Sequence, residues 1–231
     1  MDINNESLGQ TAEKVICDIA GLDSSNLVRR SIPWLEDAIK PILDEACQKL
    51  PKIVRHAGLE RGPRGEQSKS VIDFYFQNGE TLSVKTTKNS NCKVCPSECG
   101  QPGGDTFDRY FSHLYDNPND KITYQKFKEL CLNKSHKMIP IYLEHLFDCD
   151  YLLWVYYDNR AKGYKIFKKS GISFSEWKKE NFTFSKTYPS WNESCTVKYD
   201  GISLGEYQVH NHRNNYKFRF NMKNLCAILG L

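Results

Sequence analysis

The sequence contains no apolar run that approaches the roughly 20 residues a helix needs to cross a membrane. Its first residues, Met-Asp-Ile-Asn-Asn-Glu, offer neither the basic segment nor the apolar stretch of a secretory signal. We therefore expect an intracellular protein of bacterial type. The chain has 231 residues and nine cysteines, an odd number, so we interpret the cysteines as reduced thiols rather than as a disulfide framework.

The composition is that of a globular protein with a substantial core, since 39% of the residues are hydrophobic and 13% are aromatic. We expect a single domain over residues 1–231. The net charge of +4 permits a polyanionic partner without requiring one.

A β-hairpin is predicted over residues 71–86, where acidic, hydroxyl and basic side chains lie within strand-forming sequence. The two flanks are β-branched and aromatic, and Asn-Gly between them is a strong turn signal. A two-residue turn would put Asp73 on the side away from Lys85. A three-residue loop would instead pair Asp73 with Ser83 and bring Asp73, Ser83 and Lys85 together.

This segment resembles a known nuclease signature. Asp73, followed after nine intervening residues by Ser83 and Lys85 in a Ser-Val-Lys triplet, is similar to the motif of the PD-(D/E)xK nucleases. The match is to the variant of some type II restriction enzymes in which serine replaces the second acid, and Ile72 stands where the family usually has proline. The resemblance implies Mg²⁺-dependent hydrolysis of phosphodiesters, with Asp73 on the metal, Lys85 beside the attacking water and Ser83 orienting it. It also implies a second metal carboxylate further along the chain, which is Glu98, twelve intervening residues beyond Lys85.

An amphipathic helix is predicted over residues 5–20, with Gly21 as its stop. The surroundings of Glu13 resemble the first helix of the same nucleases, whose glutamate points toward the site and can assist a metal. Glu13 is therefore a further candidate metal ligand, and an ordinary surface glutamate is the alternative. A second helix is predicted to begin at Pro33, where Pro41 could kink or split it.

Two polar stretches carry candidate DNA contacts. Residues 55–70 read as a basic, glycine-rich loop that could clamp phosphates or simply be solvated. Residues 205–219 read as strand, loop and strand, carry side chain types that read base edges, and resemble the C-terminal region of some type II restriction enzymes. The candidates are Arg61, Arg64, Lys69, Gln208, His210, Asn211, His212, Arg213, Lys217 and Arg219.

Three cysteines follow the hairpin as a CxxC and a third thiol, at Cys92, Cys95 and Cys99. This pattern is found in zinc sites, but no second CxxC or histidine pair follows at a finger-like distance. A loop of reduced cysteines is our main interpretation, and a structural zinc is the alternative.

The remaining pattern predicts helices over residues 105–149, with breaks near 117–118 and 134–137, and then a run of strands. We therefore predict an α/β (α+β) fold with a mixed central β-sheet flanked by helices and a strand-rich C-terminal third. The resemblance makes this fold restriction-endonuclease-like. Within the single nuclease domain we expect N-terminal helices at 1–50, a catalytic core at 51–170 and a strand-rich DNA-recognition region at 171–231.

Together these features predict a sequence-specific double-stranded DNA endonuclease of the restriction type. The resemblance implies a bacterial cytoplasmic enzyme with a cognate DNA methyltransferase as its genetic partner. Because one catalytic hairpin per chain must serve two DNA strands, we expect a homodimer rather than a monomer that nicks each strand in turn. Two other functions stay open: a non-catalytic, zinc-stapled DNA-binding protein and a structure-selective DNA repair nuclease.

Overall fold

The computed structural model describes residues 4–59, 71–158, 161–172, 176–210 and 213–231. They form two compact units, each made of two separate stretches of chain. The first unit comprises Met1–Cys92 and Cys149–Ile172, and the second comprises Lys93–Asp148 and Ser173–Leu231. The three consecutive regions expected from the sequence do not coincide with these stretches, and a single nuclease domain stays a prediction.

In the described residues the helices and strands come in blocks: two helices, four strands, two helices, six strands and a final helix. The helices are α1 (Asn5–Ala20), α2 (Pro33–Gln48), α3 (Gly104–Phe111), α4 (Tyr124–Leu146) and α5 (Met222–Leu229). The strands are β1 (Ile53–His56), β2 (Phe74–Phe76), β3 (Thr81–Thr87), β4 (Lys93–Val94), β5 (Tyr151–Tyr157), β6 (Lys162–Lys168), β7 (Phe182–Phe184), β8 (Ser194–Tyr199), β9 (Ile202–His210) and β10 (Arg213–Asn221).

The first unit is built on a mixed five-stranded sheet in the order β1-β2-β3-β5-β6. Strands β3 and β5 are parallel, and the other neighbours are antiparallel. Helices α1 and α2 pack against the apolar side chains of this sheet. The shared core contains Leu8, Val15, Ile16, Leu35, Ile39, Leu43, Phe74, Phe76, Leu82, Leu153 and Val155. The predicted mixed sheet flanked by helices is thus confirmed.

The two N-terminal helices begin and end where local chemistry predicts. The Asn4 side chain caps α1 by accepting a hydrogen bond from the Ser7 N–H, and Gly21 ends the helix at φ +70°. Pro33 occupies the first turn of α2, where its missing N–H costs nothing. Pro41 lies inside α2 without splitting it, so the helix continues to Gln48.

The second unit is built on an antiparallel sheet in the order β4-β10-β9-β8-β7. Its core contains a cluster of contacting aromatic rings, which includes Phe107, Phe111, Phe127, Tyr142, Trp191, Tyr207 and Phe218. Helix α4 departs from helical geometry at Lys134, within the predicted break. Asp200 and Gly201 form the hairpin turn between β8 and β9, both with positive φ.

Three elements were not predicted. The segment interpreted as a basic loop from residue 55 begins instead as strand β1, which holds Arg55 and His56. Strand β4 and helix α5 were also missed. Within the part of the chain that the structure describes, no helix is both long enough and apolar enough to cross a membrane.

Candidate active site

The hairpin of β2 and β3 has the odd-length loop that the candidate site requires. Phe74 pairs with Leu82 and Tyr75 with Thr81, and the Phe76 N–H donates to the carbonyl of Glu80 at 2.9 Å, so the loop that this pairing closes has three residues, 77–79. Gly79 adopts φ +84°, a conformation that glycine accepts without steric cost. The three-residue loop is therefore confirmed, and its register sets Ser83 opposite Asp73.

The two strands separate at Asp73, and its carboxylate occupies the gap. The Asp73 N–H still donates to the carbonyl of Leu82 at 2.9 Å. One step further, the Val84 N–H donates to Oδ2 of Asp73 at 2.6 Å, and the Ser83 hydroxyl donates to the same oxygen at 3.2 Å. The Asp73 carboxylate thus accepts the hydrogen bond that a backbone carbonyl would accept in a regular sheet, and this fixes the carboxylate between the strands.

The electrostatic environment of Asp73 disfavours its charged form. Burial raises its pKa from 3.8 to about 6; the positive charge of Lys85 opposes this rise and the negative charge of Glu13 adds to it. Asp73 is still mainly ionised at neutral pH, at a cost in free energy. Buried acids held in a costly charge state are typical of functional sites, although structural networks also produce them.

Glu13 reaches this site from helix α1 and has a partner that sequence reasoning missed. Its Oε2 lies 3.2 Å from Nε2 of His56, a strand β1 residue whose side chain is only 1% exposed. The His56 ring contacts the ring of Phe74, with centroids 4.8 Å apart. The β-branched pair Ile53-Val54 was the signal that could have revealed the strand and hence the direction of this histidine.

Lys85 lies on β3, the central strand of the sheet. Strand β3 pairs with β5 from Leu82 to Thr87, with Lys85 beside Trp154 in the parallel register. The indole N–H of Trp154 donates to the hydroxyl of Thr87 at 2.9 Å, which ties the two strands together on this side. The first unit therefore brings together four of the predicted site residues: Glu13, Asp73, Ser83 and Lys85.

Glu98 belongs to the second unit. Its backbone adopts φ +56°, which is unusual for a residue with a side chain. Its carboxylate accepts a hydrogen bond from the Tyr110 hydroxyl and lies 3.5 Å from the Arg109 guanidinium. The role of Glu98 as a second metal carboxylate stays a prediction.

The predicted DNA contacts are only partly described. Arg61, Arg64, Lys69, Asn211 and His212 lie outside the described residues, as do the side chains of His210 and Arg213. Gln208 and Lys217 lie opposite each other on β9 and β10.

Arg219 is held within the second unit by an acid. Its guanidinium donates to Oε1 of Glu206 at 2.6 Å, and Lys93 donates to the other oxygen of Glu206 at 2.8 Å. This ion pair neutralises the guanidinium charge locally. A contact of Arg219 with DNA stays a prediction.

The donor chemistry around Asp73 fits a hard divalent cation. Mg²⁺ is usually held by one or two carboxylates together with waters and substrate phosphates, and Asp73 and Glu13 supply two carboxylates that repel each other. Nowhere in the described ranges do three or more His, Cys, Asp or Glu residues form a group that could hold a metal ion.

The chain resembles one characterised restriction enzyme. It is 31% identical over 160 residues to the type II restriction enzyme CviAII of Paramecium bursaria Chlorella virus 1. The similarity covers 69% of this chain but 44% of that enzyme, so the chain spans less than half the length of its relative. No family model matches the chain, and no solved structure matches it.

Proposed function

We propose that this protein is a Mg²⁺-dependent type II site-specific deoxyribonuclease with a restriction-endonuclease-like fold. The main support is the Asp73 carboxylate, which lies between two separating strands, with Ser83 bonded to it and the charge of Lys85 acting on it. The similarity to CviAII supports the same class of enzyme. The PD-(D/E)xK motif in its serine variant links these two observations, since its residues are the ones that the hairpin brings together.

Each residue then has a defined task. Asp73 and Glu13 would hold Mg²⁺, which when bound polarises the scissile phosphate and lowers the pKa of a coordinated water. The Ser83 hydroxyl and the Val84 N–H fix one oxygen of Asp73, and its other oxygen would be the one to bind the metal. Lys85 would lie beside the attacking water, where its cation would stabilise the developing hydroxide or its neutral amine would take the proton that the water loses. Glu98 is the alternative second carboxylate.

Double-stranded DNA is the proposed substrate, and the polar ends of β9 and β10 are its proposed reading surface. Gln208 and Lys217 lie on the face of this ribbon opposite its buried aromatic side chains. A cognate methyltransferase as genetic partner and a homodimeric state are part of the proposal, because the resemblance to type II enzymes implies the first and favours the second over a monomer that nicks each strand in turn. A structural zinc at Cys92, Cys95 and Cys99 is not part of the proposal.

Plasmid cleavage tests the function directly. The protein is incubated with a supercoiled plasmid in Mg²⁺, in Ca²⁺ and in EDTA, and the ends of the products are mapped by sequencing. Discrete fragments that appear only with Mg²⁺ and share one sequence at their ends would support the proposal. A mobility shift without cleavage would support a DNA-binding protein, and cleavage only at branched or damaged substrates would support a repair nuclease.

Sedimentation with a short duplex that carries the mapped site tests the assembly. Two chains per duplex would support the homodimer. One chain per duplex, with nicked circles accumulating during plasmid cleavage, would contradict it.

A further inference from the structure

An irregularity in strand β1 determines where His56 points. Strand β1 pairs with β2 through Ile53 with Phe76 and Arg55 with Tyr75, so one extra residue of β1 is accommodated between these pairs. Ile53 and His56 are three positions apart and would face opposite sides of a regular strand. The bulge lets both residues face the side covered by α1, where both are buried.

The His56 ring is held tightly in this position. The ring of Phe74 contacts one side of it, and Gly58 approaches its tip so closely that a Cβ at position 58 would lie 2.9 Å from the His56 Cε1. Nε2 lies 3.2 Å from the Glu13 carboxylate. Among the described residues, Nδ1 has no hydrogen-bond partner. The polar contact that the structure gives this buried ring is therefore the one with Glu13.

A purely structural role explains this arrangement poorly. An apolar side chain of similar volume would fill the space between Phe74 and α1 without burying an unsatisfied nitrogen, which costs free energy. The imidazole instead constrains a glutamate that is partly exposed and whose charge acts on Asp73. Bulges that redirect a side chain are over-represented next to active sites.

We propose that His56 is a positioning residue that holds the Glu13 carboxylate beside Asp73, so that the two acids receive one divalent cation together. This inference rests on the proposed function, because it takes the cation site to be the catalytic one. His56 contacts no reacting atom in this arrangement and acts through Glu13 alone. Residues that orient metal ligands in this way typically change metal affinity by about 10- to 100-fold when they are replaced.

The first test measures Mn²⁺ binding to the full chain without DNA, by electron paramagnetic resonance of the free ion. His56→Leu keeps the volume but removes the polar contact, and we expect it to weaken Mn²⁺ binding by about 10- to 100-fold. His56→Gln is the matched control, because its amide nitrogen can replace Nε2. We expect its affinity to stay within about threefold of wild type, well short of the loss typical when such a partner is removed.

Cleavage kinetics give a second readout. His56→Leu should raise the Mg²⁺ concentration needed for half-maximal plasmid cleavage by the same factor. Its rate at saturating Mg²⁺ should return to near the wild-type value. A defect confined to folding would lower the amount of active enzyme at every Mg²⁺ concentration and would not give this separation.

Gly58→Ala provides a variant that retains the histidine. Its new Cβ must displace the ring at Cε1, the carbon between the two nitrogens. We expect a shift of the His56 Cε1–H resonance together with weaker Mn²⁺ binding. If His56→Leu does not fold, this variant and His56→Gln decide the question.

Two outcomes separate this inference from the proposed function. Unchanged Mn²⁺ affinity in folded His56→Leu, or in Gly58→Ala with a shifted ring resonance, would overturn the positioning role and leave the nuclease intact. Full cleavage by Asp73→Ala would instead overturn the site on which the proposed function depends.

Discussion

Two acidic residues, one in each unit, have pKa values that are shifted in opposite directions. Asp73 in the first unit receives hydrogen bonds from a backbone N–H and a hydroxyl, and its pKa rises to about 6 because it is buried. Burial alone would also raise the pKa of Glu206 in the second unit. Direct hydrogen bonds from Lys93 and Arg219 outweigh burial there and lower the pKa instead.

Under the proposed function, this difference distinguishes a functional acid from a structural one. Glu206 has its charge neutralised within the fold, so nothing further is needed to stabilise it. Asp73 has Lys85 nearby, but that charge does not offset burial and the repulsion from Glu13. Under the proposed function an added cation would complete its environment, which is the property expected of a metal ligand.

The strongest test of this contrast is catalytic. Asp73→Ala should reduce Mg²⁺-dependent cleavage by about a thousandfold or more, because metal assistance contributes several kcal/mol to the transition state. Lys85→Ala should have a similar effect, and both variants should still bind specific DNA. Glu206→Gln is the matched control, and its single-turnover rate should stay close to that of wild type. Comparable losses in Asp73→Ala and Glu206→Gln would contradict the distinction.

The second test concerns stability without metal. A rise in the pKa of Asp73 from 3.8 to about 6 corresponds to about 3 kcal/mol of destabilisation at neutral pH. This penalty is complete above pH 6, where Asp73 is ionised in the folded state. It is absent below pH 3.8, where Asp73 is protonated in both the folded and the unfolded state. Asp73→Asn should therefore be more stable than wild type at pH 7.5 in EDTA, and the gain should disappear near pH 4. Urea unfolding at several pH values would measure it, and a destabilised variant at pH 7.5 would refute the assignment.

The third test concerns a substitution that we expect to destabilise the protein, in contrast to Asp73→Asn. Glu206→Gln leaves Lys93 and Arg219 without their acid, and we expect a loss of about 2 kcal/mol, because both cations retain some contact with solvent. The lowered pKa of Glu206 means that its contribution is complete above the ordinary value of 4.5 and is lost as the pH falls through the lowered pKa. The deficit of the variant should therefore be visible at pH 7 and shrink in acid. A deficit that grows as the pH falls would contradict the ion pairs.

The smallest expected effect distinguishes two cations on strand β10. Lys217→Ala should weaken DNA binding modestly and reduce the slope of log affinity against log salt by about one, as expected for a lost phosphate contact. Arg219→Ala should lower the stability of the protein, because its guanidinium holds Glu206. Binding at several salt concentrations, paired with unfolding curves, would reveal whether the two roles are exchanged.

Much of the fold could be predicted because its signals are local. The cap at Asn4, the stop at Gly21 and the Asn-Gly turn before β3 each act within a few residues. Strand β1 was missed because it is short and opens a segment that reads as a glycine-rich loop. The two-unit arrangement escaped prediction because it depends on pairings between distant stretches, such as β3 with β5.

The candidate site likewise combines local features, which the sequence predicts, with tertiary contacts, which it does not predict. The proximity of Asp73, Ser83 and Lys85 follows from one loop length within a single hairpin. His56 could not be found in this way, because a bulge reverses its expected face and its partner Glu13 lies 43 positions earlier in the chain. The partners of Glu98 and Arg219 likewise depend on tertiary contacts that spacing does not reveal.

The interleaving of the two units constrains how the protein is made. When the ribosome has synthesised β3, its parallel partner β5 is still more than 60 residues away along the chain. Strand β3, which holds Ser83 and Lys85, must wait as an open edge while the first stretch of the second unit emerges. That stretch must in turn wait for residues 173–231 before its own sheet can close. Neither unit can therefore fold to completion ahead of the other's first segment, and no single cut in the chain would separate the two units with both intact.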